Sequence, residues 1–370
     1  MDETAEAKLS KAGASLLVPS VKDLAKQPLS RIPERYLRTD VELQLTNIKC
    51  CSSLSKQVPI IDMSKLSSVD SHDSELQNLD IACKQWGFFQ LMNHGVKASV
   101  IEDMKKGVEE LFNLPKEEKN KLWQTPEDRE GFGQQFVASQ NQKLDWADMF
   151  LLVTFPQEAR NSHLFPNIPL PFRDNLEAYC LEMRNLSIKI IEFMAEALNI
   201  EANEIRKLFE EKGRQAMRMN YYPPCPQPHK AMGINPHSDI GALTILLQVN
   251  EVEGLQIKKD GLWVPIAPMP NAFVINLGDV LEILSNGIYK SVEHRATVNS
   301  EKERISIATF HSAMLDGNIG PSPSLVTPQT PPLFKTIGLF ELYERYLSQE
   351  VGGKSHLDFI RIQNENGESL

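Results

Sequence analysis

The sequence predicts a mixed α/β (α+β) protein with a double-stranded β-helix, or jelly-roll, core flanked by helices. Two observations lead to this prediction. After Gly213, seven short runs of alternating apolar and polar residues follow one another within about a hundred residues, separated by turn signals. Before Gly213, apolar residues recur at helical spacing in several long segments. A jelly roll is the double-sheet arrangement of short strands that leaves a pocket between its sheets.

The seven candidate strands lie between Met217 and His311. They are MRMNYY, LTILLQV, GLQIK, LWVPI, AFVINLG, SVEHRATV and RISIATFH. Asp260-Gly261 stands between GLQIK and LWVPI, and it predicts a two-residue hairpin because the favoured turn needs positive φ at both positions. Asn286-Gly287 predicts a second turn.

Elements outside this segment are predicted from the spacing of apolar residues. VPIID from Val58 and WGFFQLM from Trp86 are predicted strands. Helices are predicted at 76–86, 100–112, 176–198, 205–209 and 339–346. We therefore divide the chain into an N-terminal arm (1–56), a mostly helical N-terminal region (57–209), a jelly-roll domain (210–315) and a C-terminal segment with a closing helix (316–370).

Composition excludes several classes of protein. The chain has 370 residues, of which 49 are acidic and 39 basic, and the net charge of -10 leaves no basic surface for nucleic acid or anionic lipid. The longest apolar run, Met149 to Val153, is far shorter than the roughly 18 residues of a membrane span, and the N-terminus lacks a signal-peptide pattern. We therefore expect a cytoplasmic protein, monomeric, without a nucleic-acid or membrane partner.

Cysteine usage points to a reducing compartment. The five cysteines show no C-x-x-C spacing, so neither a zinc-thiolate site nor a redox pair is predicted. Any metal must then be held by nitrogen and oxygen ligands.

Such ligands occur within the β-rich segment. In an extended strand residues i and i+2 project to the same face, so His237 and Asp239 can offer an imidazole and a carboxylate to one point, and His294 can reach it from a later strand. Two histidines and one carboxylate match the facial triad of non-haem Fe(II), which leaves coordination positions open for substrate and oxygen.

A second pair with the same spacing follows ten residues after His294. Arg304 offers a planar fork that binds a carboxylate through two hydrogen bonds, and Ser306 adds a donor on the same strand face. Upstream, Asn220 and Tyr222 also share a strand face and can complete the cradle. This arrangement predicts a site for the distal carboxylate of a 2-oxo diacid that chelates the iron.

Eight segments together resemble the plant 2-oxoglutarate- and Fe(II)-dependent dioxygenases. They are VPIID, WGFFQLMNHG, NYYPPCP, HSDIGALTILLQ, GLQI, NLGD, LEILSNGIYKSVEHRATVN and RISIATF, and they span roughly residues 55–350. The resemblance implies a distorted jelly roll in which iron is bound by His237, Asp239 and His294, and 2-oxoglutarate by Arg304, Ser306, Tyr222 and Asn220. VPSVKDLA, EGFGQQFV and LDWADMF are similar to the branch of senescence-related proteins and codeine and thebaine O-demethylases.

The resemblance implies an oxidoreductase that uses Fe(II), 2-oxoglutarate and O2, with ascorbate as an optional supporting reductant. Decarboxylation of 2-oxoglutarate to succinate and CO2 supplies the electrons for oxidising a small, apolar or aromatic specialised metabolite such as an alkaloid or a phenolic. Hydroxylation and oxidative O-demethylation are both open outcomes.

Other functions stay open at this point. Zinc on the same three ligands would give a hydrolase active without oxygen, and a jelly roll without turnover would only bind a metabolite. An ascorbate-using oxidase, like the ethylene-forming enzymes, keeps the same R-x-S motif and differs in cosubstrate. Phe310 shares the strand face of Arg304 and is expected either to line the substrate cavity or to pack in the core. His311 ends the same run and either approaches the pocket mouth or lies at the surface, and we expect the surface.

Overall fold

The computed structural model describes Leu9 and residues 15–38, 57–348 and 357–362, apart from residues 127, 135, 136, 138, 211 and 212. Its strands are β1 (Ile60–Asp62), β2 (Phe88–Met92), β3 (Gly131–Gly133), β4 (Asp148–Phe155), β5 (Arg214–Tyr222), β6 (Ile234–His237), β7 (Leu243–Gln248), β8 (Leu255–Lys259), β9 (Leu262–Pro265), β10 (Phe273–Leu277), β11 (His294–Ala296), β12 (Arg304–Ser312), β13 (Asn318–Ile319) and β14 (Ile337–Gly338).

Helices precede, interrupt and follow the strands. They are α1 (Val21–Ala25), α2 (Met63–Leu66), α3 (His72–Gln85), α4 (Ala98–Asn113), α5 (Lys116–Asn120), α6 (Phe172–Ala197), α7 (Ala202–Glu210), α8 (Asp279–Leu284) and α9 (Leu339–Ser348). Short 3-10 helices lie at Glu34–Tyr36, Gln157–Ala159, Phe165–Asn167, Pro228–Lys230 and Pro323–Leu325.

Two sheets form the centre of the molecule. The larger sheet has the strand order β1-β2-β10-β7-β12-β5-β4-β3, and the smaller sheet has the order β6-β11-β8-β9. Apart from the parallel pair β1 and β2, neighbouring strands in both sheets are antiparallel. This arrangement confirms the predicted jelly-roll core with flanking helices.

The larger sheet separates an apolar layer from a polar pocket. On β12, Ile305 and Ile307 are buried in the main hydrophobic core, whereas Arg304 and Ser306 point to the opposite face and line a cavity. β5 follows the same alternation, since it pairs with β12 and places Tyr222 opposite Arg304. Helices α4 and α6 pack together beside this core, with Met104 of α4 and Met183 of α6 fully buried. The period-two alternation of the strands therefore directs every second side chain into the pocket.

All seven runs predicted as strands after Gly213 form strands, and the two predicted turns adopt positive φ, with Asp260 at 51° and Asn286 at 50°. Five strands were missed, of which β3, β13 and β14 are only two or three residues long. β4 is buried on both faces and so lacks the alternation that marks a strand, and β6 contains Pro236, which is tolerated because β6 lies at the sheet edge.

The predicted domain boundary near residue 209 stays a prediction. Strands β1 to β4 precede it, yet they belong to the same sheet as β5, and β4 pairs directly with β5. Among the described residues, the structure contains no helix with the length and apolar character needed to traverse a lipid bilayer.

Hydrogen bonds to a buried carboxylate connect α1 to the larger sheet. Asp148 on β4 accepts hydrogen bonds from the Ser20 hydroxyl at 2.6 Å, the Val21 N–H at 2.7 Å and the Lys22 N–H at 3.0 Å. These donors belong to the first turn of α1, where N–H groups have no partner within the helix.

We expect Asp148→Ala to lower the free energy of unfolding by about 2–4 kcal/mol, because three donors lose a charged acceptor. Urea unfolding and limited proteolysis near residues 15–38 measure this effect. Asp23→Ala is the matched control, since Asp23 pairs with Lys26 at the exposed surface of the same helix and should change little. Equal urea midpoints for Asp148→Ala and the unmodified protein would contradict the expectation.

Candidate active site

Three potential metal ligands meet in the smaller sheet. His237 ends β6, His294 begins β11, and the two are direct partners across this strand pair. Asp239 follows His237 by two residues, and one ligand atom from each of the three residues lies within 4.8 Å of the others. Oδ1 of Asp239 is 3.6 Å from Nε2 of His237 and 3.7 Å from Nε2 of His294.

Backbone carbonyls set the orientation of both imidazoles. Nδ1 of His237 lies 2.7 Å from the carbonyl oxygen of Asn235, and Nδ1 of His294 lies 3.1 Å from that of Val292. A carbonyl oxygen only accepts, so each Nδ1 carries the proton and donates it. The lone pair on each Nε2 is thereby directed toward Asp239, as in metal-binding histidines.

Two hydrogen bonds fix the second carboxylate oxygen of Asp239, Oδ2. The Thr244 hydroxyl donates to Oδ2 of Asp239 at 2.6 Å, and the Asn276 amide donates to the same oxygen at 2.7 Å. All three side chains are buried. Because Oδ2 is occupied by two donors, Oδ1 is left to face the two imidazoles.

Protonation states agree with metal binding. Burial lowers the pKa of His237 to about 4, and the adjacent His294 acts in the same direction. Burial acts to raise the pKa of Asp239, but the two imidazoles and the hydrogen bonds from Thr244 and Asn276 outweigh it and hold this pKa below its usual value. At neutral pH the His237 imidazole is neutral and the carboxylate is charged, which is the state that ligates a cation. These residues could therefore hold a divalent metal ion.

The residues predicted to bind 2-oxoglutarate lie on the larger sheet. β5 and β12 pair so that Arg304 is opposite Tyr222 and Ser306 is opposite Asn220. Nη1 of Arg304 donates to the Ser306 hydroxyl at 3.3 Å, and its guanidinium lies 5.1 Å from the centre of the Tyr222 ring. These four residues line one wall of a cavity whose other wall contains the histidine pair.

The Arg304 guanidinium is buried but lacks a counter-charge. Its Nε has no hydrogen-bond partner, and no carboxylate within the described part of the chain forms an ion pair with it. Oδ1 of Asn220 is likewise buried without a partner. A buried cation of this kind is costly unless a ligand supplies the charge, so the cavity fits a dicarboxylic acid.

Two cavities adjoin the triad. A small one of ≈ 50 Å³ is lined by all three triad residues and Arg304, and a larger one of ≈ 440 Å³ is lined by His237 and Asp239. The walls of both include Arg218, Ile234, His237, Asp239 and Phe310. Phe310 is therefore at the cavity wall, as one of its two predicted placements requires, and α9 contributes Tyr343 and Tyr346 to the larger cavity.

Several residues that shape the site were missed from the sequence. Thr244, Asn276, Gln248 and Arg218 had no predicted role, although Thr244 and Gln248 share a strand face within HSDIGALTILLQ and Asn276 lies within NLGD. Oε1 of Gln248 is 3.5 Å from Nη2 of Arg304. The contacts of Asn276 with Asp239 and of Gln248 with Arg304 appear only when distant strands are paired, whereas Thr244 lies five residues after Asp239.

The placement predicted for His311 was wrong. Its side chain is buried, because β12 is a central strand that pairs with β5 on one side and β7 on the other. The Gln215 amide lies 3.1 Å from Nε2 of His311, and since Nε2 of the amide only donates, the imidazole accepts. Burial lowers the pKa of His311 to about 3.

Comparison with known proteins identifies the family. Residues 213–313 match the 2OG-Fe(II) oxygenase superfamily, and residues 58–169 match the N-terminal region of the non-haem dioxygenases in morphine synthesis. The chain belongs to the 2OG-Fe(II) oxygenase superfamily. This oxygenase is an oxidoreductase that uses Fe(II) and 2-oxoglutarate, and the zinc hydrolase alternative finds no support.

Relatives and a solved structure extend the similarity along the whole chain. The oxygenase is 54% identical to oxoglutarate-dependent flavonoid 7-O-demethylase 1 of Ocimum basilicum over 95% of this chain and 93% of that protein. It is 49% identical to thebaine 6-O-demethylase of Papaver somniferum over 96% of this chain and 100% of that protein, which agrees with the predicted branch. A crystal structure of JOX2 in complex with 2OG, Fe and JA superposes with a TM-score of 0.82 at 34% identity, covering 93% of this chain and 98% of that one.

We expect His237→Ala to lose Fe(II) binding and turnover while its thermal unfolding stays near that of the unmodified oxygenase, because the side chain contributes a ligand rather than core packing. Anaerobic equilibrium dialysis with Fe(II) measures the bound metal. His229→Ala serves as the control, since that histidine is exposed. One tightly bound equivalent of iron in His237→Ala would refute the assignment.

Arg304→Leu should weaken binding of 2-oxoglutarate by about 10- to 150-fold, because a hydrogen bond to a charged group is lost. Calorimetric titration of the anaerobic Fe(II) protein with 2-oxoglutarate gives the dissociation constant. Arg304→Lys keeps the positive charge but loses the planar guanidinium. Its dissociation constant for 2-oxoglutarate should therefore lie between those of the unmodified oxygenase and Arg304→Leu. An unchanged affinity in Arg304→Leu would remove Arg304 from the cradle.

Proposed function

We propose that this oxygenase removes a methyl group from a methoxylated small molecule by 2-oxoglutarate-dependent oxidation. In this proposal His237, Asp239 and His294 bind Fe(II). The 2-oxoglutarate is held by Arg304, Ser306, Tyr222 and Asn220. The observation that carries the proposal is that both groups line one cavity, and that His237 and Asp239 also line a second, larger one.

The reaction balances without a further reductant. The methoxy compound, 2-oxoglutarate and O2 give the demethylated alcohol or phenol, formaldehyde, succinate and CO2. The methoxy carbon is oxidised by hydroxylation to a hemiacetal, which collapses by breaking its bond to the substrate oxygen. Bound Fe(II) supplies the oxygen activation that the side chains themselves cannot perform.

The residues of this chain bind and position 2-oxoglutarate and the substrate. Arg304 would pair with the distal carboxylate of 2-oxoglutarate, which directs the 2-oxo acid end toward the triad. Thr244 and Asn276 keep one oxygen of Asp239 away from the metal, which leaves coordination positions for the cosubstrates. Phe310, in the walls of both cavities, would hold the substrate beside the reacting centre.

O-demethylation is preferred over hydroxylation because of the relatives. Two proteins at 49–54% identity over nearly the whole chain are named as O-demethylases, one of a flavonoid and one of thebaine. Both reactions begin with oxidation of a C–H bond, so the site geometry is common to them.

We also propose a monomer in the cytosol that acts without nucleic acid or membrane. The net charge of -10 supports this, as do the buried free thiols of Cys83, Cys180 and Cys225, which suit a reducing compartment.

A panel of methoxylated flavones and alkaloids, supplied with Fe(II), 2-oxoglutarate and air, should yield formaldehyde in step with succinate. Mass spectrometry of the product should show loss of one CH2. Reactions under nitrogen, without 2-oxoglutarate, or with His237→Ala should yield neither product. Succinate accompanied by a product that has gained oxygen and kept its methyl group would establish hydroxylation instead.

A further inference from the structure

The N-terminal arm packs against a wall of the larger cavity. Its described residues 15–38 precede both family-matched ranges, which begin at residues 58 and 213. Val21 and Ile32 of the arm share one buried apolar cluster with Val137 and Leu144. Val137 and Leu144 also line the larger cavity. These two side chains therefore belong both to the cluster formed by the arm and to the cavity wall.

Hydrogen bonds connect the 3-10 helix Glu34–Tyr36 of the arm to this wall. Nη2 of Arg35 donates to the carbonyl oxygen of Ser139 at 3.2 Å, and Nε of Arg35 donates to that of Gln142 at 3.4 Å. The carbonyl oxygen of Arg35 accepts from the Leu144 N–H at 2.7 Å. Arg35 thus binds the backbone of the wall through its side chain and through its own backbone.

Residues 139–144, here called the wall segment, lie between the arm and the cavity. Gln142, Lys143 and Leu144 line the larger cavity, and Nζ of Lys143 donates to the carbonyl oxygen of Glu34 at 2.9 Å. The same short segment therefore shapes the cavity and is held by four hydrogen bonds to Glu34 and Arg35.

A second contact with the arm lies just before the wall segment. The buried Ser15 hydroxyl donates to the carbonyl oxygen of Gln134 at 2.9 Å and accepts from the Val137 N–H at 3.2 Å. The Leu16 N–H donates to the carbonyl oxygen of Val137 at 2.9 Å. Gln134, like Val137, lines the larger cavity. The arm therefore supports this side of the cavity at two places.

The smaller cavity is built from a different part of the chain. Its walls come from residues between Arg218 and Phe310, which include the triad and the residues that hold 2-oxoglutarate. A displacement of the wall segment would therefore alter the larger cavity and leave the cradle around Arg304 in place. This separation allows the role of the arm to be measured independently of cosubstrate binding.

We propose that Arg35 is a positioning residue for substrate binding, which holds the wall segment in the conformation that shapes the larger cavity. A wall that is already ordered costs a ligand less conformational entropy on binding, so the contacts of Arg35 favour the bound substrate without touching it. This inference rests on the proposed function in taking the larger cavity as the substrate site.

Hydrogen–deuterium exchange under nitrogen, on the full chain loaded with Fe(II) and 2-oxoglutarate, measures the order of the wall segment directly. Arg35→Ala should speed exchange of its amides by about 3- to 10-fold, as expected for the loss of one ordinary hydrogen bond, while β5 and β12 exchange as before. Arg35→Lys keeps one donor group and should give an intermediate rate. Arg31→Ala is the matched control, because Arg31 is exposed on the same arm. Unchanged exchange in Arg35→Ala would overturn the inference.

Binding of 7-methoxyflavone to the same loaded protein tests the consequence for the substrate. Arg35→Ala should weaken this binding by about 3- to 10-fold, Arg35→Lys should restore part of it, and the dissociation constant for 2-oxoglutarate should not change. Unchanged flavone affinity, or an equal loss of affinity for flavone and 2-oxoglutarate, would overturn a role in substrate positioning.

Failure of the proposed function gives a different result. If the flavone binds as expected and no formaldehyde forms, only the proposed demethylation fails. If the flavone does not bind the unmodified oxygenase, the proposed substrate class fails, and the exchange measurement alone decides whether Arg35 positions the wall segment.

Discussion

The site depends on one constraint, the in-register pairing of β5 with β12. Each strand alternates between a face buried against helices and a face that lines the pocket, and the pairing sets Arg304 opposite Tyr222 and Ser306 opposite Asn220. A slip of one residue would turn the arginine into the apolar core and Ile305 into the pocket. The burial of Ile305 and Ile307 thus stabilises the fold and positions the polar cradle at the same time.

Two buried charges, on Asp239 and Arg304, define what the pocket can bind. Asp239 is balanced only by hydrogen bonds and two imidazoles, and the described residues supply no counter-charge to the Arg304 guanidinium. Leaving such groups without partners costs stability, so their persistence within an otherwise well-packed protein is explained by ligands that complete them.

Much of the site was predictable because its residues obey local rules. The i, i+2 spacing of His237 with Asp239, and of Arg304 with Ser306, follows from strand geometry alone. Asn276 was missed because it is 37 residues from its partner Asp239, and Thr244 was missed because the turn that brings it back to Asp239 five residues earlier is not marked in the sequence. His311 was misplaced for a similar reason, since the two strands that cover it come from distant parts of the chain.

The sequence by itself determined the strand runs, the two tight turns, the ligand types and the family, because these depend on short-range periodicity and on residue chemistry. Only the tertiary structure decided which oxygen of Asp239 faces the imidazoles and which tautomer each histidine adopts. The hydrogen bonds of the two imidazoles and of Thr244 are short-range, but they depend on the local backbone conformation, and Asn276 reaches Asp239 from 37 residues away. The distances between the three ligands are fixed by sheet pairing, which sets His294 opposite His237.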